Sequence, residues 1–573
     1  MKVKKKYLII ALTSLFLISV LIAFGINSLI ERYNISYVDS ERFVKSGFSI
    51  QTADIEEIED YIPKEADKLN ILHYEIHLEL NPIEKQINSK TIITGTTNVD
   101  KVKNIELNFN DGFRLSKVLL NDKKCNYNYE NDKLIIISDK IITDTFKVEI
   151  SYRGEPENLG FGSFTFAEYK NSPVVYTINE PIFASTWFPC NDVPNDKVLT
   201  DIFITNDSNM TSVSNGILVS ESSKMDRKTA HWKTTYPIST YLISIYSAKY
   251  LQYEDLYISN RNDSMAIKYY VFEDKLEKAK RDFAFHPTAI KYFSEMFGEY
   301  PFLEEKYGVA EFLWSYGAME NQTITGIGQN FISGHKFFTG MLVHELAHQW
   351  WGNAVTISNW NDIWLNEGFA TYSEALYWEK ESDSSALKST MRKYLTDFSD
   401  TRLFAPEELF SRTVYNKGAW VLHMLRKEVG DETFFAILKK YYENFKYKNV
   451  STIDFIKVVE ELTGENYNYF FKQWIFDGIG KIELEYNYKL MHPTNNYTDI
   501  ELNIDQVQNG YETYNFTLDL DFYIENKRKI RKTVKIDERT ENLKFNFNYR
   551  ITKIDLDPDN WVAAEIQYKE SEN

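Results

Sequence analysis

The sequence predicts a multidomain α+β protein: one membrane-spanning helix, an N-terminal β domain, a helix-rich α+β domain and a small C-terminal β-sandwich. Three observations predict the globular part. Apolar and polar residues largely alternate from Leu69 to about Val219, helical spacing takes over from about Asp274, and short alternating stretches return after Gly480. At 573 residues the chain is long enough for three or more separate cores.

Taken in order, residues 1–6 hold Lys2, Lys4, Lys5 and Lys6, and no charge then occurs before Glu31. The run 7–30 is mostly Leu, Ile, Phe, Val and Ala, long enough to span a bilayer. The flanking lysines put the amino terminus in the cytoplasm and everything beyond about residue 31 outside. A cleaved signal peptide and a secreted chain are the rival, with Ala23-Phe24-Gly25 as a small-x-small site. The apolar run exceeds the roughly 7–15 residues of a signal core, which favours an uncleaved anchor. Residues 31–66, with Glu56, Glu57, Glu59 and Asp60 clustered, read as a juxtamembrane tether.

Residues 67–255 form the expected N-terminal β domain. There Ile71, Tyr74, Ile76, Leu78 and Leu80 alternate with polar residues, and similar stretches recur at 90–109, 133–152 and 197–219. Residues 256–480 carry helical patterns at 277–296, 417–429, 432–445 and 452–462. Residues 481–573 carry strand patterns at 481–490, 499–504, 514–524, 529–536 and 543–549, which suggests a sandwich of five to seven strands.

Composition narrows the function. A net charge of −18 repels phosphates and argues against a nucleic-acid partner. The two cysteines, Cys125 and Cys190, fall in different parts of the first domain, so free thiols are expected rather than a disulfide framework.

The densest chemistry lies at His344-Glu345 and His348. Histidines four apart share one helix face and can direct their rings at one ion. The expected helix has Thr339 as N-cap, runs from Met341 to Trp351 and stops at Gly352. A second helical pattern, from Asn366 to Trp378, brings Glu367 opposite the histidines if it returns antiparallel. His344, His348 and Glu367 with an open fourth position are the donor set of a catalytic zinc site, one ion per chain, and Glu345 beside them is the base. Glu374 lies two turns after Glu367 on the same face, placed either to orient a ligating ring or as an exposed helix glutamate.

Further motifs flank this centre: Glu180-Pro181, Phe188-Pro189-Cys190-Asn191-Asp192, Gly317-Ala318-Met319-Glu320-Asn321, Asn366-Glu367-Gly368-Phe369-Ala370 and Tyr415-Asn416-Lys417-Gly418. In this order, over residues 70 to 480, they resemble the zinc aminopeptidase family that includes aminopeptidase N and leukotriene hydrolase. The resemblance implies a thermolysin-like catalytic fold and peptide substrates with a free amino terminus. It implies that Glu320 and Glu180 hold the substrate ammonium, a contact that carboxylates make through charge-assisted hydrogen bonds. Gly317 and Ala318, almost without side chains, would let a substrate backbone pair like a strand. Met319 and Asn321 complete that substrate-binding segment, Met319 also reading as a core filler. Tyr415 matches the family's oxyanion donor, and the same resemblance implies that Tyr316, directly before Gly317, would line the pocket for the first residue.

The larger family members append a helical domain over the cleft. No such pattern follows here, and the resemblance then leaves access to the cleft open as a question, with room for longer or bulkier peptides as an expectation. Two other readings compete with an aminopeptidase. A zinc endopeptidase would not need Glu180 and Glu320, and a peptide-binding ectodomain with a decayed site would have lost some of the residues named above.

Overall fold

The computed structural model describes residues 61–570, apart from 64–65, 100, 399–400, 495 and 525–527. The expected membrane span, 7–30, and all of the tether up to residue 60 lie outside the described residues. Among the described residues no helix is long and apolar enough to cross a membrane.

The N-terminal domain grows around the strand Leu69–Asn81, whose Ile71, Tyr74, Ile76, Leu78 and Leu80 are fully buried. A bulge between Ile71 and His73 restores the alternation where Tyr74 follows Ile71 by three. This strand sits inside an eight-stranded sheet, antiparallel to Gln86–Thr97 and parallel to Leu199–Asp207. Parallel neighbours need a long crossover. Here that excursion includes the segment 178–198, with Glu180 and the Phe188–Asp192 motif, and residues 178–194 are all buried.

The boundary expected at residue 255 is corrected. Strand β1 (Leu251–Ile258) runs through it and pairs with β2 (Ser264–Val271). β2 in turn lies parallel to β3 (Tyr307–Phe312), so β1 opens the second domain's sheet. Its alternation looks like that of the strands before it, and periodicity cannot assign a strand to a sheet. The sheet is completed by β4 (Ala318–Met319) and β5 (Thr325–Gly328) in the order β1-β2-β3-β5-β4, leaving β4 at an edge. Every residue of β3 is buried, as parallel pairing covered on both faces demands.

Three helices build the centre: α1 (Thr339–Ala347), α2 (Trp364–Glu381) and α3 (Gly418–Val429). Every residue of α2 from Trp364 to Tyr377 is buried. A helix buried on all sides is a core helix, and α2 packs against both α1 and α3.

Residues 482–568 form a four-stranded and a three-stranded sheet. Their last strands, Ile551–Leu556 and Ala564–Tyr568, were outside the sequence-based pattern because both are short and Pro558 interrupts the stretch between them. Cys125 and Cys190 are both free.

Candidate active site

α1 differs from its expected form. Phe338, not Thr339, precedes the first helical turn, and the Thr339 hydroxyl donates to the Lys336 carbonyl at 2.9 Å. The regular helix ends at Ala347, four residues early. There Gln349 and Trp350 donate to the carbonyls three residues back, at 3.1 and 3.0 Å, the tightening common in a last turn. The chain then turns through Gly352 at φ +114°.

This ending aims both histidines inward. The Nε2 atoms of His344 and His348 stand 3.0 Å apart, and Glu367 Oε2 lies 3.3 and 3.5 Å from them. A tetrahedral ion with bonds of about 2.0–2.1 Å separates its ligand atoms by about 3.3 Å, so the three donor atoms are spaced as ligands of one ion. The opposite ring nitrogens are also placed. His348 Nδ1 donates to the Trp351 carbonyl at 2.9 Å, and His344 Nδ1 faces Glu374 Oε1 at 3.2 Å. With acceptors at Nδ1, both rings carry their proton there and keep the Nε2 lone pairs free. Glu374 is therefore buried, not a surface glutamate, and its second oxygen accepts from the Tyr394 hydroxyl at 3.0 Å.

A second set of acids adjoins the first. Carboxylate oxygens of Glu180, Glu320 and Glu367 lie within 4.8 Å of one another. One oxygen each of Glu180, Glu320 and Glu345 is buried with no hydrogen-bond partner. Burial pushes the Glu345 carboxyl up to about 8. Burial, then the charge of Glu320, pushes Glu180 well above the usual carboxylate range. Buried acids in such a group demand cations. The donor chemistry fits a divalent ion between His344, His348 and Glu367, and a second positive group between Glu180 and Glu320.

The upstream segment is held by its backbone. β4 pairs with β5, Gly328 N–H donates to the Gly317 carbonyl at 3.0 Å, and the Asn353 amide donates to the Glu320 carbonyl at 2.7 Å. Ala318 is half-buried and Met319 is buried in the core. Asn321, grouped above with substrate-binding residues, instead serves the protein. Its Oδ1 accepts from the Tyr246 hydroxyl at 2.6 Å and its amide faces the Leu242 carbonyl at 3.3 Å. Glu180 precedes a cis peptide bond to Pro181. Its neighbour Asn179 fixes the turn, donating to the Ile243 carbonyl at 2.6 Å and accepting from Trp187 Nε1 at 3.1 Å.

Tyr415 lies in a short π-helical turn, Thr413–Lys417, ahead of α3. Such turns redirect single side chains and recur at functional sites. Its ring stacks on His344 at 5.7 Å between centroids, 19° from parallel. Burial, with Glu367, Glu180, Glu320 and Glu345 nearby, pushes its hydroxyl well above the usual range and keeps it a donor. Tyr316 stands at the segment's start, 42% exposed and edge-on to Trp314 at 6.1 Å.

Sequence reasoning missed Gln349, Asn353 and Tyr241. Gln349 Oε1 accepts from Thr323 N–H at 2.8 Å, and the Tyr241 hydroxyl donates to the Gly352 carbonyl at 3.1 Å. No spacing rule marks them, since each acts across the join between segments distant in sequence.

Residues 282–474 match the peptidase family M1 domain, and residues 70–242 match the peptidase M1 N-terminal domain. The chain belongs to peptidase family M1. Among M1 relatives, probable aminopeptidase 1 of Sulfurisphaera tokodaii is 26% identical over 434 residues, 71% of this chain and 53% of the relative. Glutamyl aminopeptidase of Bitis rhinoceros is 28% identical over 376 residues, 60% of this chain and 38% of the relative. The chain thus spans about half the length, or less, of these relatives. In fold it is similar to Legionella pneumophila aminopeptidase A in complex with aspartic acid. The TM-score is 0.77 at 18% identity, over 88% of this chain and 60% of the other. It is also similar to the M1 zinc metallopeptidase of Deinococcus radiodurans, with a TM-score of 0.62 at 23% identity over 71% and 94%.

Proposed function

We propose that this M1 chain is a zinc-dependent aminopeptidase that removes single residues from the amino terminus of peptides. The observation that carries the reading is that Glu367 belongs to both clusters, the donor set with His344 and His348 and the acidic set with Glu180 and Glu320. An amino-terminal nitrogen lies about 2.5 Å from its own carbonyl carbon. Acids that hold the ammonium this close to the donor set leave room for one residue before the bond that reacts. The aminopeptidase names of its M1 relatives and the zinc of its structural neighbour support the same reading.

His344, His348 and Glu367 would hold the zinc, which when bound would supply Lewis acidity and lower the pKa of water to about 7. Glu345 takes the proton of the attacking water and delivers it to the leaving amine. The Tyr415 hydroxyl donates to the carbonyl oxygen as it gains charge, a contact worth about a hundredfold to a thousandfold in rate. Glu320 and Glu180 grip the ammonium and set the register at one residue. The apolar run 7–30 and its lysines support a chain anchored in the cell membrane with this site outside. Protection of the catalytic domain from protease added to intact cells would refute that placement.

The test uses the full chain in detergent, assayed on short peptides with free or acetylated amino termini, with and without a zinc chelator. Chelator-sensitive, zinc-restored cleavage of the free peptides alone is expected. Cleavage of acetylated peptides would make the chain an endopeptidase, and silence of the zinc-loaded chain would make it a peptide-binding module.

A further inference from the structure

A lysine of the N-terminal domain reaches the turn that follows the metal-binding helix, a turn that Tyr241 of the same domain also contacts. Lys197, just before the strand Leu199–Asp207, directs its Nζ across the domain join to the carbonyls of Asn353 and Ala354, at 2.8 and 3.0 Å. Those carbonyls end the turn that follows α1, and each residue of that turn is committed. The Trp351 carbonyl accepts from His348 Nδ1, and the Gly352 carbonyl from Tyr241. Asn353 donates its backbone N–H to the His348 carbonyl at 3.0 Å and its side-chain amide to the Glu320 carbonyl at 2.7 Å. A single turn therefore orients one ligand ring and holds the backbone of one ammonium-binding acid.

Successive carbonyls brought to one side repel one another unless donors meet them. A lysine head, with three donors and no acceptor, is suited to serve two at once. Other donors meet these carbonyls singly or from the other side: the Thr356 hydroxyl reaches the Gly352 and Asn353 carbonyls at 2.5 and 3.0 Å, and the Tyr447 N–H meets the Ala354 carbonyl at 2.6 Å, while among the described residues Lys197 alone joins the Asn353 and Ala354 carbonyls.

We propose that Lys197 is a positioning residue for the reaction: by fixing the turn Trp351–Ala354 from the N-terminal domain, it holds His348 and Glu320 in register with each other. This rests on the aminopeptidase reading of the site. It touches neither metal nor substrate, and its effect passes through Trp351 and Asn353.

The test measures zinc affinity of the full chain by competition with a chromogenic chelator, alongside KM and kcat for free-amine peptides. Lys197→Met is expected to weaken zinc binding about tenfold or more, the range found when a ligand's supporting partner is lost. It is also expected to raise KM several-fold, and Lys197→Arg to restore part of both. A Lys197→Met chain with zinc affinity and KM within twofold of the parent, whatever its melting temperature, would reduce Lys197 to a tie between domains and overturn the proposal. Asn353→Ala gives a second arm if Lys197→Met does not fold. It spares the carbonyl contacts and removes only the amide on Glu320, so KM should rise while zinc affinity stays. An unchanged KM there would also overturn the proposal. A parent chain that binds zinc but cleaves no free peptide would refute the aminopeptidase reading instead, and the zinc-affinity arm would still decide the role of Lys197.

Discussion

Gly368 and Gly418 meet backbone to backbone: a Cβ on either would stand 2.8 Å from the other's Cα. Gly368 directly follows Glu367 on α2, and Gly418 opens α3 directly after the turn that carries Tyr415. The contact therefore sets the spacing between Glu367, a carboxylate of the proposed zinc donor set, and the tyrosine that stacks on His344. Gly368→Ala has no flexible neighbour to displace, because the obstructing atoms are backbone, so the helices must part. A misplacement of about 1 Å costs about a hundredfold in rate. The variant should lose about that much kcat while losing stability as well, read from kcat and the melting temperature together. Near-parental kcat would show that the helix spacing is not critical.

Glu345→Gln tests the base. The replacement keeps the size of the side chain and leaves His344, His348 and Glu367 untouched, so zinc content should stay at the parent level. Without a basic carboxylate, kcat should fall by about 10²–10⁴. A zinc-loaded variant with parental turnover would remove Glu345 from the mechanism.

Glu374→Ala tests the orientation of His344. The substitution deletes the acceptor at Nδ1, 3.2 Å away, and with it the link to Tyr394. The ring is then free to rotate and to carry its proton at Nε2. Zinc affinity should fall about 10–100-fold, measured by chelator competition, and an unchanged affinity would show that packing alone orients the ring.

The parts of this site that were legible from residue spacing alone follow from local periodicity, whereas Glu180, Glu320 and Tyr415 were legible only through the resemblance of their motifs to a known family. His344 and His348 meet because a helix repeats every 3.6 residues, and the change from β domain to helix-rich domain shows in the change of period. The rest depends on contacts between distant segments. Lys197 reaches Asn353 across 156 positions, Asn321 is claimed by Tyr246 across 75, and the strand Leu251–Ile258 joins a sheet that its own alternation does not name. Even α1 shows the limit, because its early end depends on where the Trp351 carbonyl meets His348, and residue propensities carry no information about that.

The same distant contacts make a pH-dependent stability prediction at Asp192. This carboxyl lies between segments, accepting from the Thr240 hydroxyl at 2.8 Å and the Ser185 N–H at 3.2 Å. Burial pushes it up to about 7 from an ordinary value of 3.8. The folded chain therefore holds a proton between about pH 4 and 7 that the unfolded chain has released. Stability from this group is complete below pH 4, declines as pH rises to 7 and is constant above. Asp192→Asn lacks that proton, so it loses the slope whatever constant penalty the amide brings. The stability of the variant relative to the parent should improve by a few kcal/mol (order of magnitude) from pH 4 to 7 and then level off. Paired denaturation curves at pH 4.5, 5.5, 6.5 and 7.5 measure this difference directly. A difference that does not change with pH would mean that the hydrogen bonds of Thr240 and Ser185 outweigh burial and keep Asp192 ionised in the folded chain.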